Sequence, residues 1–117
     1  MTDHGPFYQI EGRDAPGRVV LVCEHASNRF PPPWDGALGL TDDQRRAHIA
    51  WDPGALGLAR GLAQALKAPL IHATASRLIY DLNRPPHAPG AMPARSEVHD
   101  IPGNADLPSS ERLARTC

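Results

Sequence analysis

The chain has 117 residues, enough for one ordinary domain with a real core and not for two. Its formal net charge is -1 and no run of Lys or Arg stands out, which argues against nucleic acid or an anionic membrane as the main partner. Aromatics make up only 5% of the residues, so Leu, Ala, Val and Ile are expected to fill the core.

The opening MTDHGPFYQIEGRD is polar and acidic and lacks the basic-then-apolar pattern of a leader. No apolar stretch approaches the length of a membrane span. Val19 to Cys23 is a short continuous apolar run, which predicts a strand buried on both faces, as in a parallel sheet. Cys23 reads as a small buried hydrophobe and Cys117 as exposed. Two such cysteines do not make a disulfide framework and suggest a reducing compartment, so the chain reads as soluble and cytoplasmic.

Thr41 to about Ile49 predicts a short helix, because Thr41 and Gln44 fit a capping box and Asp42 and Asp43 suit the positive helix start. Asp52 as N-cap and Pro53 at the first helical position open a second helix. Its apolar positions Leu56, Ala59, Leu62, Ala63 and Leu66 recur at helical spacing, and Pro69 ends it. PLIHATAS predicts a second strand and RLIYDLN a third. The 13 prolines, about twice the usual share of ~5%, make residues 84 to 108 irregular. Ser110 to Arg115 begins a last helix. The fold class expected is α/β, a single domain over residues 1–117 built on a βαβ unit with flanking helices and a right-handed crossover.

Three polar clusters stand at the ends of these elements. Ligands of open α/β sheets bind where strands end, and Glu24, His25, Asn28 and Arg29 follow the first strand. A turn or cap pairing His25 with Glu24 is the plainer alternative. His48 and Asp52 sit four apart at the junction of the two helices and would share a face if helical. That spacing suits a metal pair or a His oriented by an acid, against a plain N-cap and a surface His. Arg77, Asp81, Asn83 and Arg84 flank the third strand. Arg grips carboxylates bidentately and an adjacent Asn adds a donor, while a buried Arg77–Asp81 pair fixing the loop is an equal reading. Together they suggest a divalent metal that activates water beside cationic groups that hold an anionic substrate.

CEHASNRFPP, HIAWDPGA, SRLIYDLNR and IPGN, in that order, resemble the N-formylglutamate amidohydrolase family over roughly residues 17 to 115. The resemblance implies part of a zinc exopeptidase-like (phosphorylase/hydrolase-like) fold, an α/β sandwich with a mixed sheet. It implies hydrolysis of N-formyl-L-glutamate, or another anionic N-acyl amino acid, to formate and L-glutamate, an activity of histidine degradation. It implies a zinc cofactor with His25 as a ligand, and Glu24, His48 and Asp52 in catalysis. Asn28, Arg77, Asn83 and Arg84 would bind the substrate. IPGN would form a loop over the site, with Gly103 permitting the turn. A zinc site needs three protein ligands, for which His72, His87 and His99 are the remaining histidine candidates.

The family pattern also runs on past IPGN, so the chain is expected to be a shortened or N-terminal portion. Such a portion exposes apolar strand edges that favour homo-oligomers. The alternative function is a truncated, non-catalytic domain that binds an anionic small molecule.

Overall fold

The computed structural model describes residues 7–116. The reading of the extreme N-terminus and that of Cys117 as exposed fall, for residues 1–6 and 117, outside the described residues.

A three-stranded mixed sheet has the order β1-β3-β2, formed by Tyr8–Glu11 (β1), Leu21–Cys23 (β2) and Leu70–Ala73 (β3). β2 and β3 pair in parallel, Leu21 opposite Leu70, and helix α2, Ala55–Leu66, connects them. This is the expected βαβ unit. β1 adds an antiparallel strand on the other side of β3, Tyr8 opposite Ala73, which the polar N-terminal wording did not announce.

The burial of β2 differs from expectation. Cys23 is buried, but Val19, Val20 and Val22 are about half exposed or more. Leu21 and Cys23 turn one face of β2 under α2, and Val22 on the other face is exposed.

Helix α1, Asp42–Arg46, carries the predicted capping box. The Gln44 N–H donates to Thr41 Oγ1 at 3.2 Å and the Thr41 N–H to Gln44 Oε1 at 3.0 Å. α1 is shorter than expected, with Ala47 as its C-cap and residues 48–50 in a turn. α2 also starts later than expected. Its N-cap is Gly54 in the left-handed region, not Asp52, whose N–H donates to the His25 carbonyl at 2.9 Å. Leu56, Ala59 and Ala63 of α2 pack on Cys23, Ala26 and Leu70 of the sheet layer.

RLIYDLN is not a strand. Residues 77–79 form a turn in which the consecutive Leu78 and Ile79 are both almost wholly buried. They enter the larger core with Phe30, Trp34, Ile49 and Ile101. Two of the few aromatics therefore anchor this core, and Phe7 meets Trp34 edge-on at 5.6 Å. A small hairpin, β4 (Arg95–Ser96) with β5 (His99–Asp100), interrupts the proline-rich region. Helix α3, Ser109–Thr116, forms where the last helix was expected.

IPGN is not a lid. Ile101 is fully buried and Pro102–Asn104 is a turn of 3-10 helix packed on residues 37–39. A Cβ on Gly103 would lie 2.7 Å from both Cα and Cβ of Leu38, so Gly is needed there for close approach, not for turning. Asn104 donates to the carbonyls of Leu78 and Pro93, each at 2.8 Å, and accepts from Arg115. Buried Arg115 reaches from α3 to the carbonyl of Ile79 at 3.1 Å and pairs with Glu111. Burial pulls the Arg115 pKa down, against the opposing pull of Glu111.

Candidate functional site

One carboxylate joins the end of β2 to the turn after β3. Asp81, 3% exposed in its side chain, takes His25 Nε2 at 2.7 Å on Oδ1 and Arg77 at 2.8 and 3.2 Å on Oδ2. The Asn83 N–H donates to Oδ1 at 3.0 Å, and Arg84 Nε lies 3.5 Å from Oδ2. Burial pushes the Asp81 carboxyl up. The hydrogen bonds from His25 and Asn83 and the charge of Arg77 outweigh it and hold the pKa below the ordinary value. Asp81 is thus a buried anion with its lone pairs filled.

His25 is fixed from both ends. Its Nδ1 lies 3.3 Å from Asp52 Oδ2, and the Asp52 N–H in turn donates to the His25 carbonyl. The two carboxylates thus orient the ring from both sides. Arg77 also approaches Asp52, at 3.9 Å. His25, Asp52, Arg77 and Arg84 are brought together around Asp81, which supports the paired reading of Arg77 with Asp81.

His48 does not share a face with Asp52. It sits in the turn after α1 and meets Glu97 instead, Nε2 to Oε1 at 2.8 Å. Both side chains are more than half exposed. His48 and Glu97 line a cavity of about 380 Å³ with Arg77, Asp81, Arg84 and Arg95. Glu97 and Arg95 were not legible in the sequence. Glu97 sits in the left-handed region, φ 55°, in the β4–β5 turn, and the wording RSEVHD carries no Gly or Asn to announce one.

Asn28 lies elsewhere. It donates to the Arg45 carbonyl at 2.9 Å and lines a separate cavity with Arg29, Phe30, Asp42 and Arg46. The side chain of Asn83 is exposed and only its backbone joins the Asp81 cluster. Glu24 is half-buried just after β2. Burial, followed by the charges of Asp52 and Glu24, pushes the Cys23 thiol up, so Cys23 stays a protonated, small core residue.

Among the described residues no group of three or more His, Cys, Asp or Glu side chains is placed to hold a metal ion. Both ring nitrogens of His25 already face carboxylates. His72 bonds Glu11 at 2.7 Å, His99 bonds Gln44 at 3.1 Å, and His87 is exposed. By themselves the described residues do not fit a zinc centre, which would need further donors. No described helix is long and apolar enough to cross a membrane.

No curated protein matches the chain. The crystal structure of gene product Atu2144 from Agrobacterium tumefaciens is similar to it, with a TM-score of 0.92 and 51% sequence identity. The match covers 97% of this chain and 44% of that one, so the chain spans less than half the length of the solved structure. The family model for N-formylglutamate amidohydrolase matches residues 17–116. That span holds β2, α2, β3, the Asp81 cluster and the His48–Glu97 pair, and the chain belongs to the N-formylglutamate amidohydrolase family.

Proposed function

We propose that the chain carries the substrate-binding and proton-transfer part of an amidohydrolase acting on an anionic N-acyl amino acid, N-formyl-L-glutamate in the first instance. The observation that carries this reading is that the His48–Glu97 pair lines one cavity with Arg84, Arg95 and the mutually bonded Arg77 and Asp81. Family membership supplies the amidohydrolase class. The parallel β2–α2–β3 unit with antiparallel β1 is consistent with one portion of an exopeptidase-like sheet.

Glu97 accepts a hydrogen bond from His48 Nε2, which leaves Nδ1 of a neutral ring as the basic nitrogen. That nitrogen takes a proton from water as the water oxygen attacks the acyl carbonyl. The tetrahedral intermediate collapses, the C–N bond breaks, and the imidazolium returns the proton to the departing amine. Formate and L-glutamate result. Arg84 holds a substrate carboxylate, and Arg77 stays engaged with Asp81.

The experiment is a deformylation assay with N-formyl-L-glutamate on the wild-type chain and on Arg84→Ala. Formate release with a KM raised at least tenfold in the variant is expected. Saturable binding of the substrate without formate release would instead favour a non-catalytic anion-binding domain.

A further inference from the structure

Arg60, Arg77, Arg84, Arg95 and Arg115 each meet a carboxylate within 3.5 Å. The arginines after β2 and on α1 differ. Arg29, Arg45 and Arg46 line one cavity of about 420 Å³ with Asn28, Phe30 and Asp42. Asp42 is the one acid in that lining, and it reaches Arg45 at 3.6 Å. Among the described residues no carboxylate pairs with Arg29 or Arg46, and both are exposed.

The end of α1 does not occupy these guanidinia either. The Gln44 carbonyl accepts the Ala47 N–H, the Arg45 carbonyl accepts the Asn28 side-chain amide at 2.9 Å, and the Arg46 carbonyl accepts the Trp51 indole N–H at 3.2 Å. The Asn28 bond ties α1 to the segment after β2. The Arg45 guanidinium lies 5.7 Å from the ring centre of buried Phe30. The lining carries a charge of +2, three arginines against one aspartate, in a chain whose net charge is -1.

We propose that this cavity is a second anion site and that it takes a phosphate dianion, free or as a monoester. A dianion balances the charge of the lining. The phosphate oxygens point in several directions, so more than one guanidinium can donate its paired N–H groups at once. A single carboxylate offers one charge and two oxygens in one plane, and would leave donors over. Walls of one sign also concentrate such an ion from solution. The site is independent of the activity proposed above, because none of its lining residues lines the Asp81 cavity.

The test is calorimetric titration of the 117-residue chain with inorganic phosphate and with phenyl phosphate at constant ionic strength. One saturable site is expected, its affinity lowered at least tenfold by Arg29→Gln combined with Arg46→Gln and unchanged by Arg84→Ala. Both replaced side chains are exposed, so circular dichroism and melting temperature of the double variant without ligand should match wild type. Tighter binding of phenyl phosphate assigns the site to a monoester, and equal or weaker binding assigns it to free phosphate. The absence of saturable binding, or binding weakened by Arg84→Ala and not by the double variant, overturns the proposal. Competition by N-formyl-L-glutamate that the double variant abolishes also overturns it, because the cavity would then belong to the substrate.

Discussion

Asp81 Oδ1 sits 2.7 Å from His25 Nε2, and this bond ties the end of β2 to the turn after β3 across 56 residues of chain. Removing the carboxylate leaves His25, Arg77 and the Asn83 N–H without their acceptor in a buried place. Asp81→Ala is expected to destabilise the fold by about 3 kcal/mol. Urea unfolding checks this, and a loss below about 1 kcal/mol would mean that water replaces the carboxylate.

The same carboxylate sets an acid limit. Its folded pKa lies below the ordinary 3.8, so its contribution is fully present above that value and is lost as pH falls through the folded pKa. Glu11 adds to this in the same direction, because the hydrogen bond from Arg60 outweighs burial and, with His72, lowers its pKa from 4.5. Melting temperature should stay level from neutral pH down to the carboxylate range and then fall. Asp81→Asn should start lower and fall less. An equally steep fall in that variant would place the acid sensitivity elsewhere.

His48 and Glu97 are exposed, so their replacement separates chemistry from folding. His48→Ala is expected to lower kcat by roughly 100-fold or more, and Glu97→Gln by less, with melting temperatures unchanged. Activity untouched by His48→Ala would remove it from the mechanism.

Gly103→Ala is expected to destabilise by about 1–3 kcal/mol, because the new methyl meets Leu38 backbone at 2.7 Å and backbone cannot swing aside. Thermal unfolding reads this directly. A neutral result would show that the 3-10 turn shifts as a unit.

After dialysis, elemental analysis of the chain alone should find less than one zinc per molecule, unchanged by His25→Ala, because the imidazole is held by Asp52 and Asp81. One zinc lost in the variant would show that His25 exchanges these bonds for a metal.

Local signals were the legible ones. Thr41 and Gln44 satisfy each other within one turn, so the capping box could be read directly, and the β2–α2–β3 order followed from periodicity. Asp52 misled because Asp-Pro is a good helix opening, whereas a carbonyl 27 residues away claims its N–H and His25 claims its side chain. Leu78 and Ile79 read as strand because both are apolar, yet a turn buries two neighbours at once when the Ser76 hydroxyl accepts the Leu78 N–H. Val19, Val20 and Val22 read as buried because a sequence does not say whether both faces of a sheet are covered. His25 and Asp81 could each be singled out as strand-end polar residues. Their pairing, and the meeting of His48 with Glu97, depend on contacts that no short word encodes.

The Arg115 clamp bears on how the molecule reaches its native state. Arg115 closes on Ile79 across 36 residues, His48 on Glu97 across 49 and His25 on Asp81 across 56. Closing loops of that length is slow and entropically opposed, whereas α2 needs only neighbours. In refolding, helix signal should therefore rise first and the arginine-lined cavity should assemble last. For an interval the chain would hold helix while that cavity is still unformed.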